Sequence, residues 1–332
     1  APIKAVCKTL FYAVPCAGRA QWKQNRRRMN GYIFWVTLLL VVFGLAMVYS
    51  TTSFKGDNPL SGVKKQAVFA LLGLVAMVIL PRFDYHWVLR LGWWPSYAAG
   101  IVLVVVTTFK GSSANGKTRW LQLGGMRFQP SEVMKSALIL FFAVYLVNGY
   151  RRLAKEPKRI FWMMAVWGGA PALLIASQNL STGLLIGALV FFVTLLGVRD
   201  NRTHLRVALL GILAFLLVVS FYKKVPFLQR YQVARIEAWL NPGANANGSG
   251  FQVRLGKYAM SAGDLCGAGF GRGVVKRNGL PEPSTDFIFS VIGEELGMIG
   301  MGVLILLYLT LLVCIFRTAI KAPDRYGALL CG

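Results

Sequence analysis

Charge is in short supply in this chain. Only 15% of its 332 residues are Asp, Glu, Lys or Arg, against 56% that are hydrophobic, where an ordinary soluble domain carries roughly 25% charged residues. Acid is scarcer still, with 12 Asp and Glu against 37 Lys and Arg. With a mean hydropathy of +0.55, this composition excludes an ordinary soluble globular protein. Cysteine is sparse too. Cys7 and Cys16 precede the first long apolar run, Cys314 and Cys331 lie at or beyond the end of the last, and only Cys266 falls in a long polar segment. That scatter offers neither a disulfide framework nor metal-ligand spacing. The apolar stretch TLFYAV is brief and is followed by Arg26, Arg27 and Arg28 rather than by a mature domain, so residues 1–31 are expected to form a cytoplasmic tail rather than a secretory leader.

What the chain does have is long apolar runs. They lie at Ile33 to Tyr49, Ala67 to Leu80, Leu91 to Phe109, Val133 to Tyr150, Ile160 to Ala176, Thr182 to Val198, Val207 to Tyr222 and Phe287 to Phe316. Each can span, or nearly span, a hydrocarbon layer of about 30 Å. The pattern predicts an all-α polytopic membrane protein of about eight transmembrane helices. A basic tail (1–31) precedes a single membrane domain (32–332), with a long loop at about 223–285. The second run is short. The last, 30 residues long, would reach about 45 Å as a straight helix, so it must tilt, break at a glycine or protrude.

Basic residues set the orientation. Counting the tail and alternate short loops, 20 Lys and Arg fall on one side and seven on the other, which predicts a cytoplasmic N-terminus and an external long loop. A formal net charge of +25 would suggest nucleic acid on a soluble face. Here the charge is spread over loops on both sides of a membrane, so anionic lipid is the expected partner and nucleic acid is not.

Two external loops gather cations and aromatics beside acids. The first, KGSSANGKTRWLQLGGMRFQPSEVMK, carries Lys117, Arg119 and Arg127 ahead of Pro130, a residue suited to a helix's first turn. Glu132 and Lys135 follow on one helix face. They are either a mutually neutralising pair or an anion-binding lysine oriented by its acid. The second loop holds Arg235, Trp239, Arg254, Tyr258 and the run GAGFGRG. Its glycines lack the flanking strand and helix of a dinucleotide site, so a flexible or tightly turning outer loop is expected. Asp286 then stands near the N-terminus of the last run, as a helix-end acid or as a functional one. Glu294 lies eight residues deeper, about 12 Å along a helix and roughly 80° around it. Glu294 and Glu295 are therefore expected to organise the bundle, by pairing with Lys or backbone groups, rather than to share chemistry with Asp286.

The stretch STDFIFSVIGEELGMIG closely resembles the HTDFIFAVIGEELG-type signature of the SEDS family, the RodA and FtsW proteins. In chain order FGLAMVYS, NGKTRWLQLGGMRFQPSEVMK and GLPEPSTDF are similar to further family motifs, and the likeness covers about Ile33 to Phe316. Three positions depart from the pattern. Ser284 stands for the usual histidine, SQNLSTG at 177–183 lacks an aspartate, and Phe251 stands for a tyrosine. Members typically have ten spans, so the last one or two are expected to be missing from this chain.

The resemblance implies a peptidoglycan glycosyltransferase of the bacterial cytoplasmic membrane. It would polymerise lipid II on the outer side, with a class B penicillin-binding transpeptidase as partner, in elongation, division or sporulation. By the same likeness Asp286 corresponds to an essential external aspartate, Glu132 and Lys135 to a functional acid and lysine, and Arg119 to a loop arginine. The chemistry agrees with that set. Pyrophosphate leaves more readily than a sugar hydroxyl, so one base, Asp286, with cations from Lys117, Arg119, Lys135 and Arg235 or Arg254 could drive an inverting displacement. A divalent cation, Mg or Mn, bridging a carboxylate and the pyrophosphate is the alternative role for Asp286. A lipid II flippase and a noncatalytic scaffold for a transpeptidase are the rival functions.

Overall fold

The computed structural model describes residues 31–54, 60–114, 117–123, 126–198, 200–222, 233, 236–237, 239–240 and 249–332. Eight helices among them are long and apolar enough to cross a membrane, the number expected from hydropathy. They are α1 (Gly31–Thr52), α2 (Leu60–Ile79, continued by a 3₁₀ turn at Leu80–Arg82), α3 (Tyr85–Lys110) and α4 (Pro130–Lys155). A broken span follows, made of α5 (Pro157–Met163), a π-helical turn (Met164–Gly169) and α6 (Ala170–Gln178). Then come α7 (Leu180–Gly197), α8 (Asn201–Ser220), a short helix α9 (Ser249–Ala262) in the long loop, α10 (Ile288–Ile320) and a final short helix α11 (Arg325–Cys331). The basic tail lies outside the described residues.

Helix ends follow local chemistry. The Asp84 side chain accepts the His86 amide at 2.9 Å and starts α3, Asp324 accepts the Gly327 amide at 2.8 Å and starts α11, and Pro130 opens α4. Each satisfies, or does without, an amide that the first helical turn leaves unpaired. The loop between α3 and α4 is not plain coil. It folds as a three-stranded antiparallel sheet, β1 (Ser112–Ala114), β2 (Lys117–Leu123) and β3 (Met126–Phe128), in the order β1-β2-β3. Trp120 lies opposite Ser112, and Leu121 opposite Phe128.

The described residues form two compact units. One draws on Asp84–Leu216 and Phe316–Gly332, the other on Arg27–Phe83 and Leu217–Ile315. The first has a core of Met134, Leu138, Phe141, Phe142 and Leu146 from α4 with Ile186 and Val190 from α7. Beside it Trp93 lies tilted against Phe141, Trp94 stacks on Tyr97, and Trp167 meets both Trp94 and Tyr97 edge to face, while the Tyr97 hydroxyl donates to the Trp167 carbonyl within the π turn at 2.7 Å. The second unit packs Met47 of α1 against Leu280 and against Val291 and Ile292 of α10. Outside these cores large side chains such as Leu209, Leu213, Phe215 and Leu306 stay exposed, as surfaces that meet lipid tails do.

The long last helix breaks at Gly297, whose φ of 66° and ψ of −164° are not helical. A loop backbone fills the break. The carbonyls of Glu294 and Glu295 accept the amides of Ala268 and Gly269 at 2.9 and 3.0 Å, while the amides of Met298 and Ile299 donate to the carbonyls of Asp264 and Leu265 at 2.9 and 3.2 Å. These two carbonyls and two amides at the kink are thus satisfied by protein, as irregular backbone in a membrane protein requires. The run beyond the kink, 23 residues from Met298 to Ile320, is about 34 Å long and matches a bilayer.

Candidate functional site

The GAGFGRG run is the strand of backbone laid over that break. Gly267, Gly269 and Gly271 all have positive φ, and a Cβ on Gly267 would stand 2.2 Å from the Glu295 carbonyl oxygen. These glycines therefore serve close backbone approach, as expected for a turning loop, and cradle carboxylates rather than phosphate. Glu294 accepts the amides of Val275 at 2.7 Å and Lys276 at 3.3 Å. Glu295 accepts the Gly271 amide at 3.0 Å and the Ser50 hydroxyl, whose oxygen lies 2.8 and 2.6 Å from its two carboxylate oxygens.

Lys276 completes the cluster. Its ammonium pairs with Glu295 and donates to the Ser50 carbonyl at 2.9 Å and the Ser50 hydroxyl at 2.7 Å, so all three of its N–H donors have acceptors. The side chains of Lys276 and Glu295 are both 0% exposed, which makes the pair a fully enclosed one. Lys276 was not singled out in the sequence. Its only signal was a lysine following a glycine run that needed to pack against two acids.

Asp286 occupies a different environment eight residues before Glu294. It lies in the turn Pro283–Phe287, where the Glu282 carbonyl accepts the amides of Thr285 and Phe287 at 3.3 and 3.4 Å. Buried Leu280 anchors the turn in the core of the second unit. The Asp286 side chain is exposed, and among the described residues no hydrogen bond or ion pair engages it. It precedes the first turn of α10, whose unpaired amides favour negative charge. The carboxylate is thus held in place by its backbone yet open to a ligand.

Glu132 and Lys135 lie in the first unit, on the opening turns of α4. Lys135 Nζ is 2.7 Å from Glu132 Oε2, with side chains 23% and 57% exposed. The pair therefore exists without any ligand, and Lys135 is the more enclosed member. Near it a cavity of ≈ 260 Å³, partly open to solvent, is lined by polar Thr107, Gln129, Ser131, Gln178 and Asn179. Lys117 and Arg119 fall on β2 and Arg127 on β3. Arg235 lies outside the described residues. Arg254 is exposed on α9, and Phe251, in place of the tyrosine, is exposed there too. Among the described residues no group of three or more His, Cys, Asp or Glu is placed to hold a metal.

An apolar helical bundle with a loop-filled helix break defines a polytopic membrane protein, and comparison with known proteins defines its kind. The cell cycle protein family FtsW/RodA/SpoVE matches residues 31–332. The chain belongs to that family. It is 33% identical over 302 residues to the Stage V sporulation protein E of Bacillus subtilis, covering 88% of this chain and 80% of that one. It is 31% identical over 318 residues to a probable peptidoglycan glycosyltransferase FtsW of a Geobacter species, covering 92% and 83%. Among solved structures it resembles one described as "Structural coordination of polymerization and crosslinking by a peptidoglycan synthase complex", with TM-score 0.69, 26% identity and coverage of 90% and 81%. It shares the fold of Thermus thermophilus RodA, with TM-score 0.56, 23% identity and coverage of 90% and 78%.

Proposed function

We propose that this protein is a peptidoglycan glycosyltransferase that polymerises lipid II, with Asp286 as its base. The observation that carries the reading is the contrast between acids on one segment. Glu294 and Glu295 are consumed in a buried network, while the Asp286 carboxylate stands exposed at the mouth of the same helix, with no partner among the described residues. The relatives named as peptidoglycan glycosyltransferases and the likeness to a peptidoglycan synthase complex support it.

In the proposed step Asp286 takes the proton of the acceptor sugar's 4-hydroxyl as that oxygen attacks the donor's anomeric carbon. The new C–O bond forms with inversion while the bond to the lipid pyrophosphate breaks, and the leaving group carries the electron pair away. Lys135, with Lys117, Arg119 and Arg235, is assigned to that departing anion. Glu132 holds the Lys135 ammonium ready, since a pyrophosphate could compete for it with the single carboxylate it now meets. Alternatively, a magnesium or manganese ion would be held by the Asp286 carboxylate in place of its role as base, since magnesium sites commonly use one or two carboxylates with substrate phosphate. It would then neutralise charge on the leaving group.

The reading places the protein in the bacterial cytoplasmic membrane with its N-terminus inside and Asp286 outside, on the strength of the basic-residue asymmetry. A class B transpeptidase is the proposed partner. The enclosed Lys276–Glu295 pair could suggest a transport pathway, but every donor on Lys276 is satisfied and neither side chain is exposed, which favours a structural lock. Detergent-purified protein given lipid II separates the two functions. Glycan chains forming without a bilayer are expected. No polymer, with sidedness-dependent lipid II movement in vesicles, would overturn the proposal.

A further inference from the structure

At the opposite end of α4 from Glu132, the first unit has a groove that the glycosyl transfer does not use. It encloses ≈ 320 Å³, part of it open to solvent, between Leu146, Val147 and Tyr150 of α4, Leu196 and Gly197 of α7, and Arg325 and Leu329 of α11. Its walls are mainly apolar, with the Tyr150 hydroxyl and one cation as the polar side-chain groups among the lining residues. The Arg325 guanidinium lies over the Tyr150 ring, 4.6 Å from its centroid, and its Nε is buried with no hydrogen-bond partner among the described residues.

The neighbouring acid does not neutralise Arg325. Asp324 is turned away to accept the Tyr85 hydroxyl at 2.7 Å and the Gly327 amide at 2.8 Å, and it meets the His86 ring as well. Glu156, the acid just beyond α4, is taken by Arg159 at 2.5 Å. Arg151 and Arg152, exposed on the last turns of α4, add positive potential around the mouth. A buried guanidinium N–H without an acceptor is costly, and its planar fork suits phosphate oxygens.

The position completes the argument. The apolar spans that bound the groove end at Leu153 and Gly197, so Arg325 stands at the level of lipid headgroups while Leu146, Val147 and Leu196 reach toward the hydrocarbon. The geometry points to a binding site for one anionic phospholipid, its phosphate on Arg325 and the start of an acyl chain along the α4 and α7 walls. Basic pockets between transmembrane helices bind anionic headgroups in this manner.

Native mass spectrometry of the full chain in neutral detergent tests the site, with phosphatidylglycerol, phosphatidylcholine and inorganic phosphate as probes. One phosphatidylglycerol should be retained in preference to phosphatidylcholine. Arg325→Gln should weaken it about ten-fold, equivalent to about 1.4 kcal/mol, and Arg151→Gln less than about two-fold, as befits an exposed charge. Val147→Trp keeps the cation but fills the groove, and should lose the lipid similarly, which guards against misfolding of the Arg325 variant. Equal retention of both lipids would overturn the site. So would full affinity in Arg325→Gln or Val147→Trp, or an equal loss in Arg151→Gln. Displacement of the lipid by millimolar inorganic phosphate would overturn the phospholipid as the ligand.

Discussion

Removing Lys276 should be far more damaging than its place in a loop suggests. In Lys276→Met the Glu295 carboxylate keeps the Ser50 hydroxyl and the Gly271 amide but loses the one counter-charge paired with it among the described residues, at 0% exposure. Stranding one member of such a pair costs about 3 to 5 kcal/mol. Glu295→Leu strands the ammonium instead, which retains only the two Ser50 oxygens, and should cost a similar amount. The double variant removes both charges with side chains of similar bulk, and should regain at least about 2 kcal/mol over the sum of the singles. Denaturant or thermal unfolding of the detergent-solubilised protein reads all four corners of the cycle. Singles that each cost under about 1 kcal/mol and simply add in the double variant would refute the view that this pair locks the loop into the helix break.

The kink itself makes a second test. Gly297→Ala should destabilise by more than about 2 kcal/mol, since the residue is held at positive φ and its Cβ would meet the Leu265 oxygen at 2.4 Å. Gly302→Ala in the same helix, with nothing within 4 Å, should be neutral or stabilising by up to about 1 kcal/mol. A third concerns orientation. In single-cysteine variants on intact cells, a membrane-impermeant maleimide should label exposed Cys266 and leave Cys331 untouched. Once the membrane is opened, Cys331 should still react more slowly at pH 8, because burial pushes its thiol pKa up and less of it is thiolate. Labelling of Cys331 alone in intact cells would reverse the orientation.

The membrane body was legible because each span is an uninterrupted apolar run, and hydropathy needs no partner to be read. The last helix was half legible, in that 30 apolar residues had to tilt, break or protrude, yet length alone could not choose Gly297. That choice depends on Asp264, Leu265, Ala268 and Gly269 meeting the break, contacts made across 26 to 34 residues of sequence. Lys276 stayed hidden for the same reason, as its partners Ser50 and Glu295 are 226 and 19 residues distant. The small sheet at Ser112–Phe128 was missed because its strands are three, seven and three residues long, too short for alternation to show. Asp286 was legible as a candidate from its place ahead of an apolar run. Its openness depended on Glu282 and Leu280 shaping the turn.

The most direct measurement is lipid II turnover by Asp286→Asn beside the unaltered protein, with lipid II affinity and unfolding followed on the same samples. Because the carboxylate is exposed and makes no bond to the described residues, stability and affinity should stay as they were. Turnover should fall by about 10² to 10⁴-fold, the usual contribution of a general base. Undiminished polymerisation by a folded Asp286→Asn protein would contradict the account.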